Sequence, residues 1–153
     1  MTEKALLNYF LSKVSVEDFS KDLQDSQVKT SYDTTSVYVI PISRINDEEY
    51  NVTRDNLIQL CNDTLNAKLT LTDINTIAFA IITSEFFTWD DTADDAEIIE
   101  TVIYDWDNPE IGFSLSLHNI ALWKQYLQTG EYLLNKAELK EKFRNDKKRQ
   151  QDR

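Results

Sequence analysis

The sequence predicts a mainly α-helical, single-domain bundle of six or seven short helices, and three observations support this prediction. The chain has 153 residues, the length of one ordinary domain. Two glycines and two prolines are too few for turn-rich sandwiches and barrels, and for glycine-rich phosphate loops. At six places a Ser, Thr or Asn is followed three positions later by Asp, Asn or Glu, and then by apolar residues at helical spacing.

These six places predict where helices begin. A short side chain with an oxygen accepts a hydrogen bond from one of the unpaired N–H groups of a first turn, and an acid there suits the positive end of the helix dipole. The six predicted starts, in order, are Ser15, Thr53, Thr70, Thr92, Ser116 and Asn135. Before the first of them, the segment 2–14 also places Leu6 and Phe10 on one helical face.

Apolar stripes follow the starts at 3.6 residues per turn and predict the buried face of each helix. The stripes are Phe19 and Leu23, then Leu57, Cys61 and Leu65, then Ile74, Ile77 and Ile81, then Ile98, Val102 and Trp106, and then Ile120, Trp123 and Leu127. The segment 98–104 is also rich in β-branched residues, so a strand is the open alternative there. The helical spacing favours a helix.

Residues 36–42 are the exception to the helical pattern. They are β-branched and aromatic, and they include Pro41, which cannot donate to a strand ladder, so they predict an edge strand. The segment 111–115 is the expected partner in a small two-stranded β element. Residues 1–135 are predicted to form one globular domain, and residues 136–153 a basic helix that docks weakly through Leu139 and Phe143 and frays into a tail.

Charge is distributed unevenly along the chain. The net charge is −11, but residues 135–153 carry eight bases and four acids, whereas residues 1–134, the acidic body, carry eight bases and 23 acids. The stretch 69–123 holds eleven acids and neither lysine nor arginine. Because so acidic a body repels phosphates, it is not expected to bind nucleic acid or an anionic membrane surface. Two explanations of the acidic charge are left, a basic protein partner or solubility alone.

The sequence also favours a reducing, cytoplasmic location. Cys61 is the only cysteine, so no internal disulfide is expected. The start of the chain lacks the pattern of a secretory leader. The longest purely apolar run, residues 77–82, has six residues, and a bilayer-spanning helix needs about 20.

Catalytic motifs are weak. Asp105, Asp107 and Glu110 follow an apolar run and are the residues that a divalent-metal-dependent hydrolase would use. The acids from Asp90 onward do not match a calcium loop, because its sixth and twelfth positions hold Asp95 and Thr101 instead of glycine and glutamate. Cys61 lies on a core stripe and the lone His118 has no orienting group nearby in sequence. No cofactor is therefore expected and the chain is predicted not to be an enzyme.

Aromatic residues beside acids predict a partner-binding site. Packing in the core is the alternative for each aromatic, but a buried anchor with a charged rim also has this composition. The predicted site comprises Phe87, Trp89, Asp90, Asp91, Asp94, Asp95 and Glu97. In size and charge the chain resembles inhibitors that neutralise a basic enzyme, such as the bacterial immunity proteins of nuclease toxins. The sequence thus favours a non-enzymatic binding protein of that kind, with a DNA-mimic regulator as a close variant and the metal-dependent hydrolase as the alternative.

Overall fold

The structure is a computed structural model that describes residues 1–32, 34–43 and 47–151. These residues form seven helices and four short strands. The helices are α1 (Glu3–Phe10), α2 (Val16–Leu23), α3 (Arg54–Leu65), α4 (Leu71–Thr83), α5 (Ala96–Asp107), α6 (Leu117–Thr129) and α7 (Lys136–Gln151). The strands are β1 (Gln27–Lys29), β2 (Thr35–Val37), β3 (Tyr50–Asn51) and β4 (Phe87–Thr88). The mainly α fold class is confirmed.

Local capping bonds explain where most helices begin. The side-chain oxygens of four predicted caps accept from the backbone N–H three positions later, at 3.1–3.2 Å. These caps are Ser15, Thr53, Thr70 and Ser116. At Thr53 and Thr70 the third residue returns a bond to the backbone of the cap, which completes a capping box. The Asn135 side chain likewise accepts from the N–H of Ala137 at 3.0 Å.

The predicted start at Thr92 is wrong by one turn. Helix α5 begins at Ala96, with Asp95 as its N-cap and no capping bond from that side chain. The Thr92 hydroxyl and N–H donate instead to the Asp90 carboxylate, at 2.6 and 3.0 Å. This local turn engages Thr92 in place of a first helical turn, in the way that short polar side chains compete with helices.

The core lies between the long helices. Helix α3 packs against α6 and helix α4 against α5, while α1 packs against α2. The rings of Trp106 on α5 and Trp123 on α6 meet edge to face, with centroids 6.3 Å apart, and both side chains are fully buried. The helical period of residues 98–106 therefore prevailed over their β-branched composition.

The two-stranded element exists, but with a different partner from the predicted one. Strand β2 pairs antiparallel with β1, so that Ser36 lies opposite Val28. The predicted partner 111–115 is irregular, and α7 holds it through the Lys142 ammonium, which donates to the carbonyls of Pro109 and Gly112. A hairpin closes a short loop, whereas pairing with 111–115 closes a long one at a greater entropic cost.

Helix α7 docks through its first half. Leu139 packs against the core, and the Glu138 carboxylate accepts from the N–H of Ser114 at 3.0 Å. Phe143, the second predicted docking residue, is 56% exposed. Fraying of this end stays a prediction, and its last two positions, 152 and 153, lie outside the described residues.

Candidate functional site

The segment between α4 and α5 carries most of the predicted partner-binding residues, and a polar side chain fixes the backbone where this segment begins. The Ser84 hydroxyl oxygen accepts from the N–H groups of Phe86 and Phe87, each at 2.9 Å. The next residues form β4, which runs parallel to β3. In that pair the N–H groups of Tyr50 and Val52 donate to the carbonyls of Phe86 and Thr88, each at 2.8 Å.

Phe87 is a core residue. Its side chain is 2% exposed and forms edge-to-face contacts with Phe10, Tyr50 and Phe86, at centroid distances of 5.2–6.0 Å. The predicted role of its ring as a partner contact is corrected accordingly. Strand pairing of β4 with β3 turns this side chain inward, and Phe87 supports the surface from below.

Trp89 follows β4 and lies at a shallow surface hollow. Its half-buried ring packs edge to face against Tyr104 of α5, at a centroid distance of 6.4 Å. The hollow has a volume of about 340 Å³. Its apolar lining comes from Ile81, Ile82, Phe87 and Trp89, and its polar lining from Ser84, Thr88, Asp91 and Glu100. The structure thus joins an aromatic residue, an apolar floor and two carboxylates in one place.

Of the acids in the predicted site, only Asp91 lines this hollow, and the others lie near it in sequence. Asp90, Asp91, Asp94 and Glu97 are all exposed. The bonds from the Thr92 side chain and N–H hold the pKa of Asp90 below its ordinary value, so this carboxylate stays charged. Asp95 is half-buried and lines a different hollow, together with Arg54 and Asp55 of α3. The structure therefore does not bring Asp95 into the hollow beside Trp89.

Two exposed residues of α5 near Trp89 were missing from the predicted site: Glu100 lines the hollow, and Tyr104 contacts the Trp89 ring. Glu100 and Tyr104 are exposed and lie one turn apart on α5, on the side opposite the buried Val102 and Trp106. The signal that could have revealed them is their i, i+4 spacing on the outward face of the predicted helix. The predicted site was instead confined to residues close to Trp89 in sequence.

Asp105 has a structural role in this arrangement. Its carboxylate accepts from the indole N–H of Trp123 at 2.9 Å and from the hydroxyl of Tyr132 at 2.6 Å. Burial and the bond to Asp105 together raise the pKa of Tyr132. Asp105 therefore joins α5 to α6 and to the segment after it.

The other two acids of the hydrolase alternative lie in different surroundings. Partial burial raises the pKa of Asp107, and Glu110 lines a mixed-charge groove with Lys142 and Arg149. In the part of the chain that the structure describes, no three His, Cys, Asp or Glu side chains are grouped so that they could hold a metal ion. The geometry thus gives no support to a metal centre at these three residues.

Cys61 occupies the core position that its stripe predicts. The side chain is fully buried on α3, and burial raises the pKa of its thiol to about 12. His118 is exposed in the first turn of α6. A neutral buried thiol is a poor nucleophile, because the thiolate is the reactive form.

Comparison with family models, with curated proteins and with solved structures found no match to this chain. Among the described residues, none of the helices combines the length and the apolar character needed to span a membrane. The properties of the surface beside Trp89 are therefore the basis for a functional proposal.

Proposed function

We propose that this chain is a non-enzymatic, cytoplasmic binding protein that neutralises a basic protein partner. The observation that supports the proposal is the hollow beside Trp89, where an apolar floor meets the carboxylates of Asp91 and Glu100. Interfaces are commonly built in this way, with aromatic anchors at the centre and polar groups at the rim.

The charge distribution supports a basic partner. Residues 69–123, which supply the whole hollow, contain eleven acids and no lysine or arginine. Exposed carboxylates with no bases among them attract a basic surface over a distance and raise the association rate. An inhibitor of a nuclease toxin, of the bacterial immunity type, is the kind of protein that needs these properties. Its target carries a basic cleft because it binds nucleic acid.

The test compares charge reversal at the hollow with charge reversal elsewhere. One variant carries Asp91→Lys and Asp94→Lys, and the matched control carries Glu131→Lys and Glu141→Lys, all four positions being exposed. Each protein is immobilised, proteins from the native cell are captured at low salt and eluted at high salt, and a captured basic protein is purified. Its association with all three forms is then measured by surface plasmon resonance at several salt concentrations.

We expect the association rate of the purified partner to fall steeply with salt. The Asp91 and Asp94 variant should associate at least tenfold more slowly, because exposed charges act on encounter. The control variant should associate nearly as fast as the original protein. Equal losses in both variants would show that overall acidity alone matters, and the absence of a basic partner with salt-dependent association would refute the proposal.

A further inference from the structure

The hollow beside Trp89 combines an apolar lining with two carboxylates. Its apolar lining comes from Ile81 and Ile82 at the end of α4 and from Phe87 and Trp89, of which Phe87 is almost fully buried. Its carboxylates come from separate elements, Asp91 from the loop before α5 and Glu100 from α5 itself. Among the described residues that line the hollow, none is basic.

We infer that this hollow is a socket for a single arginine side chain of the partner, an inference that rests on the proposed function. Long basic side chains have an apolar stem and a charged head, so the stem can cover the floor while the head reaches the carboxylates. The two carboxylates complement a cation, and the volume of about 340 Å³ lies at the small end of ligand sites, ~300–1,000 Å³.

The arrangement favours arginine over lysine. A guanidinium group is planar and has five N–H donors, so it can bond to carboxylates on two sides at once, whereas an ammonium group is a compact point charge. The guanidinium plane also stacks on aromatic faces, and tryptophan is the best of these. Trp89 lines the same hollow as both carboxylates, and the proposed arginine would use all three groups.

Other ligands fit the hollow less well. A neutral apolar group would cover two carboxylates without pairing them, and unpaired charges are costly to remove from water. A phosphate or another anion would be repelled by Asp91 and Glu100. The socket also has a separate role from the exposed acids Asp94 and Glu97, because a contact made in the final complex governs dissociation and more distant charges govern encounter.

The test uses three blocked tripeptides of identical length, with arginine, lysine or neutral citrulline between two alanines. Binding is followed by the NMR signal of the Trp89 indole N–H, which is assigned by its loss in Trp89→Phe. The variant Asp91→Asn with Glu100→Gln removes both carboxylates, and Glu131→Gln with Glu141→Gln is the matched control. All four acids are exposed, so both variants are expected to keep the melting temperature of the original protein.

We expect saturable shifts of the Trp89 signal with the arginine peptide at millimolar concentration. Affinity should be about tenfold lower for the citrulline peptide and for the Asp91 and Glu100 variant, and lower for lysine than for arginine, because charge-assisted bonds are the stronger ones. The control variant should bind like the original protein. Equal binding of arginine and citrulline, or no saturable shift with arginine, would overturn the socket.

The peptide test and the partner test fail independently. If the arginine peptide does not bind, but a basic partner still associates in a salt-dependent way that Asp91→Lys and Asp94→Lys disrupt, the proposed function stands and the socket is wrong. If the peptide binds as expected but no basic protein partner exists, the socket is supported and the proposed function falls.

Discussion

Replacement of Asp105 by alanine should destabilise the protein strongly, although this acid is a candidate metal ligand by sequence. In the structure both donors reach the same carboxylate oxygen, the indole N–H of Trp123 at 2.9 Å and the hydroxyl of Tyr132 at 2.6 Å. Trp123 is fully buried, so its N–H cannot donate to solvent water when the carboxylate is removed.

The size of the effect follows from these two bonds. A hydrogen bond to a charged group contributes about 1.5–3 kcal/mol, and a buried donor left unpaired costs about 1–3 kcal/mol. Since Asp105 is only half-buried, the lower end of each range applies, and we expect Asp105→Ala to lower the free energy of unfolding by roughly 3 kcal/mol. Asp105→Asn keeps an acceptor without the charge and should lower the free energy of unfolding by about half as much.

The assay is urea unfolding at neutral pH, followed by far-ultraviolet circular dichroism. A double-mutant cycle with Tyr132→Phe isolates one of the two bonds, and we expect a coupling energy of about 1 kcal/mol between these contacting residues. A loss below about 0.5 kcal/mol for Asp105→Ala, a value typical of surface changes, would refute the structural role. A large rise in melting temperature on addition of magnesium, abolished by Asp105→Ala, would instead revive the hydrolase alternative.

Tyr132 adds a pH dependence to the same prediction. Its folded-state pKa is raised above the ordinary value of 10.0, first by burial and then by the bond to Asp105. Its contribution is therefore fully present below pH 10.0 and is lost as the pH rises towards the folded-state pKa. Stability above pH 10.0 should fall less steeply in Tyr132→Phe than in the original protein.

Three further predictions concern the fold. Thr53→Ala removes a capping box and should lower the free energy of unfolding by about 1 kcal/mol, measured in urea. Thr92 caps no helix, so Thr92→Ala should lower it by less than about 0.5 kcal/mol. Equal losses would contradict the observed start of α5. Partial burial raises the pKa of Glu138, but the bonds from Ser114 and Asn119 lower it more. The contribution of Glu138 to folding stability is therefore present above pH 4.5, the ordinary pKa, and is lost as the pH falls through the folded-state pKa. Glu138→Gln should therefore speed amide exchange in α7 at neutral pH, and unchanged exchange would disprove the role of Glu138 in docking this helix. Cys61 should react with a thiol reagent only as fast as the protein opens, and rapid labelling of the native protein would contradict its burial.

Helix starts and buried faces were predictable because both depend on residues close together in sequence. Thr53 and Thr70 need only the residue three positions later to form their capping boxes, so the pattern was sufficient. Thr92 shows the same chemistry with another outcome. Asp90 lies two positions before it and captures its hydroxyl and N–H, a competition that the spacing rule does not include.

The remaining features depend on contacts between distant segments. Strand β1 contains one apolar residue, Val28, between two polar ones, which gives no strand signal until the hairpin places it beside β2. Phe87 turns inward only because β4 pairs with β3, a segment 37 positions away in the register that joins Tyr50 to Phe87. For the same reason the sequence could group the acids with Trp89, but it could not show that Asp91 alone among them lines the hollow, that Asp95 lines another, or that Glu100 belongs to the first.

The position of Trp89 is fixed on both sides along the chain, and this bears on how the hollow could bind a partner. Before it, the Ser84 hydroxyl and the pairing of β4 with β3 hold the backbone. After it, Asp90 closes a turn with Thr92 at 2.6 Å. Ordering a flexible side chain on binding costs about 0.5–1.5 kcal/mol, and a surface already held in place avoids much of that cost. The bonds that stop α5 from starting at Thr92 therefore also hold the backbone that follows Trp89, so a partner of the proposed kind would meet a segment already in place.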